Sequence, residues 1–326
     1  MSYSRKILAA ANKIINDRRS FATAENKLRQ TRIDAQIPEI AGLRKKLAAT
    51  GLAAAKAMTM GEDAEKYIEG LAEINISVQN EISALLVKNG YPADWLEIPY
   101  ECRKCSDTGF LDGHFCPCRK QLLIDLNRQS LCDISPAAEC RFDNFDLNYY
   151  SPDVNEVTGY SPRAKMTEIF NFCREYSLDF DTDSSGLFLY GATGLGKTHL
   201  SLAVANEVID RGFGVKYYSA PELFSRIEKE KFGSNSTDTI DETLECDLLI
   251  IDDIGSEFIT QFTVSAFYNI LNSRINCSMP VILSTNLSVE EMQAKYTQRI
   301  TSRIIGSFTP LPFAGNDIRQ IKRGEE

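Results

Sequence analysis

The chain has no run approaching the roughly 20 apolar residues that a membrane-spanning helix needs, and none is expected among its 326 residues. Its start, Met1 to Lys6, leads into a stretch broken by Asn12, Lys13, Asn16, Asp17, Arg18 and Arg19. That stretch lacks the apolar core of a secretory signal, so a cytoplasmic protein without membrane attachment is expected. There is no internal repeat and no low-complexity tract. The nine cysteines are an odd number, and four crowd into one short stretch, which is not the pattern of a secreted disulfide framework. A net charge of −9 argues against nucleic-acid binding over the whole surface. The charge is uneven, however. Residues 1–60 hold 12 Lys and Arg against 4 Asp and Glu, and residues 61–100 hold 2 against 8.

Ordinary soluble composition is what is there: 43% hydrophobic and 25% charged residues. The length suggests two or three domains. Residues 1–95 read as a helical domain. Ile7, Leu8, Ala11, Ile14, Ile15 and Phe21 recur at helical spacing. A second stretch, entered by Pro38, carries Ile40, Leu43 and Leu47, and a third runs from Tyr67 to Leu86 and ends at Asn89-Gly90. Residues 96–134 hold a cysteine module and a connecting helix over 121–131. Residues 135–165, rich in Ser, Pro, Asn, Asp and Tyr, read as a linker. From 166 to 326 helices alternate with short apolar strands at Leu187–Tyr190, Val215–Ser219, Leu248–Ile251 and Val281–Ser284. This pattern predicts an α/β fold with a parallel sheet and helices on both faces.

The strongest motif is Gly191-Ala192-Thr193-Gly194-Leu195-Gly196-Lys197-Thr198. It fits the phosphate-binding loop, with a strand before it and a helix after it. Glycines let the backbone turn its N–H groups inward, and the helix N-terminus adds partial positive charge at the same point. Lys197 is placed to reach the β- and γ-phosphates of a nucleotide, and Thr198 to offer a hydroxyl to Mg²⁺. The second element is Leu248-Leu-Ile-Ile-Asp252-Asp253. Its four apolar residues suit a strand buried on both faces, with two carboxylates at the ligand edge of the sheet. Asp252 is the candidate for Mg²⁺ and Asp253 for orienting a water; an acidic turn is the plainer alternative. No Asn-Lys-x-Asp guanine signature follows the loop, which favours adenine and ATP. Asn286, at the end of a third strand, either senses the γ-phosphate or caps the next helix. Arg299, Arg303 and Arg319 are candidates to stabilise transition-state charge, or simply surface ion-pair residues.

Cys102-x₂-Cys105-x₁₀-Cys116-x-Cys118 supplies four thiolates within 17 residues. This is the donor set of a closed structural zinc site, with an iron–sulfur cluster or free thiols as the rivals; His114 is a loop residue or a substitute ligand. Single-stranded DNA contact rests on less: Lys229, Lys231 and Phe232 between the second strand and the acidic strand, and Lys216, Tyr217 and Tyr218 as charge and stacking faces. A solvated helix and buried strand aromatics are the alternative.

Together these motifs resemble the AAA+ ATPases, and more narrowly the bacterial replicative helicase loaders of the DnaC/DnaI type and the related IstB transposition ATPases. Phe142-Asp-Asn-Phe145, Ile250-Ile-Asp-Asp-Ile-Gly255, Ser284-Thr-Asn-Leu287 and Asp317-Ile-Arg319 strengthen the likeness, which is good over residues 140–326 and looser before them. The resemblance implies a P-loop AAA+ sheet without a C-terminal helical lid. It makes Lys197 and Thr198 the Walker A pair, Asp252 the Walker B residue and Asp253 the catalytic acid. Asn286 becomes sensor 1, Arg303 the arginine finger with Arg299 as alternate, and Arg319 sensor 2. It implies N-terminal helices that grip a hexameric replicative helicase, self-association through the ATPase domain, and ATP-dependent delivery of the helicase to single-stranded DNA. A transposase helper of the IstB type, or a nucleotide-gated adaptor with vestigial hydrolysis, are the other readings. Asp253 stands where AAA+ proteins generally have Glu, and its shorter side chain implies slow hydrolysis.

Overall fold

The computed structural model describes residues 2–57, 64–135, 137–156, 159–232 and 239–325. The described chain divides into two compact units, one of residues 13–116 and one of residues 1–12 with 117–326.

In the first unit, α1 (Arg5–Gln36, which begins in the other unit), α2 (Pro38–Ala57) and α3 (Ala64–Lys88) are the three helices expected from spacing. Ile33, Ile40, Leu43, Val78, Ile82 and Leu86 close a small core between them. Gly90 ends α3 in a left-handed conformation (φ 82°), and the Tyr91 N–H donates to the Leu86 carbonyl at 2.9 Å. The apolar pattern overstates burial at some positions. Phe21, Tyr67 and Ile74, which share the helical spacing, stay exposed. A two-residue hairpin, β1 (Phe110–Leu111) and β2 (His114–Phe115), follows in the cysteine segment.

The larger unit is a five-stranded parallel sheet built from β3 (Gly186–Tyr190), β4 (Val215–Ser219), β5 (Leu248–Ile254), β6 (Val281–Thr285) and β7 (Phe308–Pro312). The spatial order is β4-β5-β6-β3-β7, with every neighbouring pair parallel. Strand side chains alternate between faces. Leu187, Leu189, Tyr217, Ile250 and Ile282 pack on one face beneath α5 (Pro162–Asp179) and α6 (Lys197–Asp210). Phe188, Tyr218, Leu249, Ile251 and Leu283 pack on the other against α7 (Ala220–Phe232) and α9 (Gln261–Asn276). The remaining helices are α4 (Pro117–Cys132), α8 (Thr239–Glu245), α10 (Val289–Tyr296), α11 (Gln298–Ser307) and α12 (Ile318–Glu325). The expected fold class is therefore observed. After β7 the described chain carries α12 alone. No described helix is long and apolar enough to cross a membrane.

Two segments differ from their sequence reading. Residues 135–165 do not form a free tether: their described part makes three short 3₁₀ turns, with Ala137 and Tyr150 in the main core. Residues 2–12 pack on the sheet unit. The Ser2 N–H meets the Asp247 carboxylate at 2.7 and 2.8 Å, and the Tyr3 hydroxyl donates to the Gly212 carbonyl at 2.5 Å.

Candidate nucleotide site

Parallel strands carry their ligands at their carboxyl ends, where connections diverge to opposite sides of the sheet. Here β3 lies between β6 and β7, and the loop after β3 turns directly into α6. Gly191, Gly194 and Gly196 all have positive φ (142°, 76° and 84°). A Cβ on Gly194 would fall 1.9 Å from the Asp317 carboxylate, and one on Gly196 would fall 2.9 Å from the Phe145 ring. Both positions therefore require glycine for space as well as for backbone conformation. Gly196 is the N-cap of α6 and has no side chain to satisfy the first-turn N–H groups. Those donors and the helix dipole converge on the loop, as an anion site requires.

Lys197 is buried, and its ammonium donates to the Gly191 and Ala192 carbonyls at 2.8 and 2.7 Å. Burial pulls its pKa down to about 8; Asp252 and Asp253 pull it up and Arg319 adds to the lowering. Thr198, next on the helix, donates its hydroxyl to Asp252 Oδ2 at 2.8 Å. Asp252 is 4% exposed and accepts two further hydroxyls, Tyr217 on Oδ2 at 2.9 Å and Ser284 on Oδ1. One hydroxyl and one carboxylate, both hard oxygen donors beside a phosphate cradle, fit Mg²⁺.

The pairing of β5 with β6 shifts register between Ile251 and Ile254. Within that irregularity Asp253 adopts a left-handed conformation (φ 57°), which Asp tolerates better than most residues. Its N–H donates to Ser284 Oγ at 2.9 Å, and Asn286 Nδ2 donates to its Oδ1 at 2.7 Å. Asn286 is not the cap of the next helix; Ser288 is, accepting from the Glu291 N–H at 3.1 Å.

Gly194, Gly196, Lys197, Thr198, Asp252, Asp253, Ser284 and Asn286 line a cleft of about 550 Å³, together with Arg319 and Lys322 of α12 and with Asn144, Phe145, Asp146 and Tyr149 of the turns before α5. The Ile318 N–H donates to the Gly194 carbonyl at 3.1 Å, which fixes the start of α12 on the phosphate loop. Arg299 and Arg303 do not line the cleft. Arg299 is exposed; Arg303 stands over the Tyr268 ring at 5.4 Å. The wall made by Phe145 and Tyr149 was not among the site residues expected from sequence, although Phe142-Asp-Asn-Phe145 carried part of the resemblance. Tyr217, whose hydroxyl meets Asp252, was expected only as a stacking face for single-stranded DNA.

Indeed, the structure corrects the stacking surface expected at Lys216, Tyr217 and Tyr218. Tyr217 and Tyr218 are 6% and 1% exposed, and Lys216 pairs with Glu242 at 3.2 Å. Lys229 and Lys231 are exposed on α7; the polar stretch 233–238 and the Phe232 side chain lie outside the described residues.

The cysteine segment is local in sequence, and the division between the two units falls inside it, after Cys116. The sulfurs of Cys102, Cys105, Cys116 and Cys118 lie within 4.8 Å of one another. His114 is not part of the group. The Cys102 and Cys116 sulfurs are 3.8 Å apart. Tetrahedral thiolates at ~2.3 Å from one zinc ion would stand about 3.8 Å apart, so the donor set and spacing fit the metal. Asp107 braces the first knuckle, its carboxylate accepting the Glu101 and Cys102 N–H groups at 2.9 Å each.

Residues 171–320 match the family described as IstB-like ATP binding protein. The replicative helicase loader DnaC of Escherichia coli (strain K12) is 27% identical over 157 residues, which are 47% of this chain and 64% of the relative. The replicative helicase loader DnaI of Bacillus subtilis (strain 168) is 23% identical over 189 residues, 57% of this chain and 58% of the relative. The chain thus spans less than two thirds of the length of these curated relatives. A solved DnaC helicase loader superposes with a TM-score of 0.45 at 21% identity, over 53% of this chain and 98% of that one.

Proposed function

We propose that the chain is a helicase-loading ATPase, from the match of residues 171–320 to the IstB-like ATP binding protein family and the similarity to the DnaC and DnaI loaders. The observation that carries the reading is the Thr198–Asp252 hydrogen bond beside the buried Lys197, at the uncapped start of α6. In this reading the loop amides and Lys197 bind the β- and γ-phosphates, and Thr198 and Asp252 hold Mg²⁺. Bound Mg²⁺ would supply charge neutralisation on the phosphate oxygens. Asp253, held by Asn286, orients the attacking water. Arg319 reaches the cleft from its own chain; Arg303, or Arg299 in its place, reaches a neighbour's cleft in a homo-oligomer. The N-terminal helices bind a hexameric replicative helicase, and the ATP-bound form passes it to single-stranded DNA.

The short Asp253 side chain and its bond to Asn286 favour slow hydrolysis, and to that extent they support the nucleotide-gated adaptor. The family match leaves the transposase helper as the other partner class. Nucleotide binding, turnover and partner capture test these readings. Lys197→Ala removes a charge-assisted phosphate contact and is expected to weaken ATP binding roughly 100-fold, about 2–3 kcal/mol. Turnover by wild type no faster than by Lys197→Ala, with ATP bound, would leave the adaptor. Capture of a transposase and not a replicative helicase by the purified chain would leave the helper. For the cysteine segment, we propose structural zinc. One equivalent of zinc per chain by elemental analysis is expected, with none in the Cys102→Ser/Cys105→Ser variant.

A further inference from the structure

We propose that Tyr217 is a positioning residue for the magnesium carboxylate, holding Asp252 in place through its hydroxyl. The proposal rests on the nucleotide reading above, because it assigns a further residue to the same site.

Asp252 has two oxygens with about four lone-pair sites, and three hydroxyls point at them. Ser284 donates to Oδ1, whereas Thr198 and Tyr217 both donate to Oδ2, at 2.8 and 2.9 Å. The three are not equivalent. Thr198 sits on the phosphate loop and its hydroxyl faces the cleft, so in the proposed complex it is drawn to the metal. Ser284 already accepts the Asp253 N–H at 2.9 Å. Among the described residues, the Tyr217 hydroxyl donates to Asp252 alone. The residue lies on β4, where Ser219 pairs with Asp252 and Tyr217 with Ile250 in the parallel register. Its ring is fixed in the core between the sheet and the helices above it. At 6% exposure it does not line the cleft.

A carboxylate that binds Mg²⁺ must keep one oxygen aimed at the ion while the other is restrained. Hydrogen bonds from groups that do not themselves touch the metal supply that restraint and tune affinity. With Thr198 turned to the ion, Tyr217 remains as the donor on Oδ2.

The experiment is a Mg²⁺ titration of the full chain, reading binding of a fluorescent nonhydrolysable ATP analogue, for wild type and Tyr217→Phe. Phenylalanine keeps the ring in the core and removes only the hydroxyl. The proposal expects the Mg²⁺ midpoint to rise about tenfold, within the range for lost outer-shell partners, with analogue binding in EDTA unchanged. Thermal melting in EDTA gives the structural effect separately. If Tyr217→Phe melts too low to titrate at room temperature, the same titration of both proteins is run in the cold, below its transition. An unchanged midpoint in a folded variant overturns the proposal. So does equal weakening with and without Mg²⁺, which marks a structural role only. A wild type that shows no Mg²⁺-dependent binding instead overturns the nucleotide reading itself, and the two failures are thus distinguishable.

Discussion

Lys197 links burial to proton uptake. An ammonium held among backbone carbonyls at 7% exposure is poorly solvated, and its pKa falls to about 8. Phosphate oxygens arriving beside it favour the charged form and push the pKa back up. The sign follows. Well below pH 8 the lysine is protonated before and after binding, so little proton is exchanged there. Above pH 8 the free protein has lost the proton and the complex regains it, so affinity falls as pH rises through this window. Calorimetry in two buffers of different ionisation enthalpy should show uptake of up to one proton per nucleotide near pH 9 and little near pH 7. Uptake that is equal at the two pH values would contradict the burial argument. At this same scale, the part of the site legible in the sequence is the part that is contiguous. The run Gly191–Thr198 and the pair Asp252–Asp253 each place chemistry by spacing alone. The Tyr217 and Ser284 contacts to Asp252 come from residues 35 and 32 positions away in the chain. In an apolar strand buried on both faces, the sequence does not say which side chain will meet a carboxylate.

Strands were legible where hydrophobicity and position agreed. β4 spans the expected Val215–Ser219, and β5 runs three residues beyond its apolar core, through Asp252 and Asp253 to Ile254. β7 was missed because Phe308-Thr-Pro-Leu-Pro312 contains two prolines, which argue against a strand in a sheet interior. It is tolerated because β7 is an edge that, among the described residues, pairs with β3 alone. The packing of the start of α1 on the sheet unit also escaped the sequence reading, since Glu242 and Glu245, which pair with Lys6 and Arg5, are more than 200 residues away. Lys6 and Lys216 both bind Glu242 of α8, at 2.6 and 3.2 Å, and Tyr218 donates to it at 2.7 Å. Burial alone would raise the Glu242 pKa, but these bonds outweigh it and lower it to about 2. A carboxyl with a depressed folded pKa stabilises the fold above its unfolded value near 4.5 and loses that contribution as pH falls toward 2. The contribution is of order 3 kcal/mol. Denaturant melts of Glu242→Gln should therefore lie well below wild type at pH 7, with the gap closing between about pH 4.5 and 2. A gap that does not vary with pH would assign the loss to packing.

For the whole molecule, the position of the late arginines is the most consequential feature. Arg319 lines the cleft of its own chain, whereas Arg299 and Arg303 project from α11 outside it. An arginine that neutralises transition-state charge must touch the transferring phosphoryl oxygens, and neither of these two does so within one chain. If either is the arginine finger, it must serve a neighbouring copy, and hydrolysis must depend on assembly. The consequence is a complementation that no single-chain mechanism allows. Lys197→Ala holds the nucleotide weakly but keeps its α11 arginines. The Arg299→Ala/Arg303→Ala variant holds the nucleotide but offers no arginine. Each alone should be nearly inactive. Mixed in equal amounts they should regain a measurable fraction of wild-type turnover, because some interfaces then join an intact cleft to an intact arginine. The rate per chain should also rise with protein concentration in wild type. Arginine variants that hydrolyse as fast as wild type would remove α11 from the site, and activity independent of concentration down to a monomeric chain would place all the chemistry within one cleft.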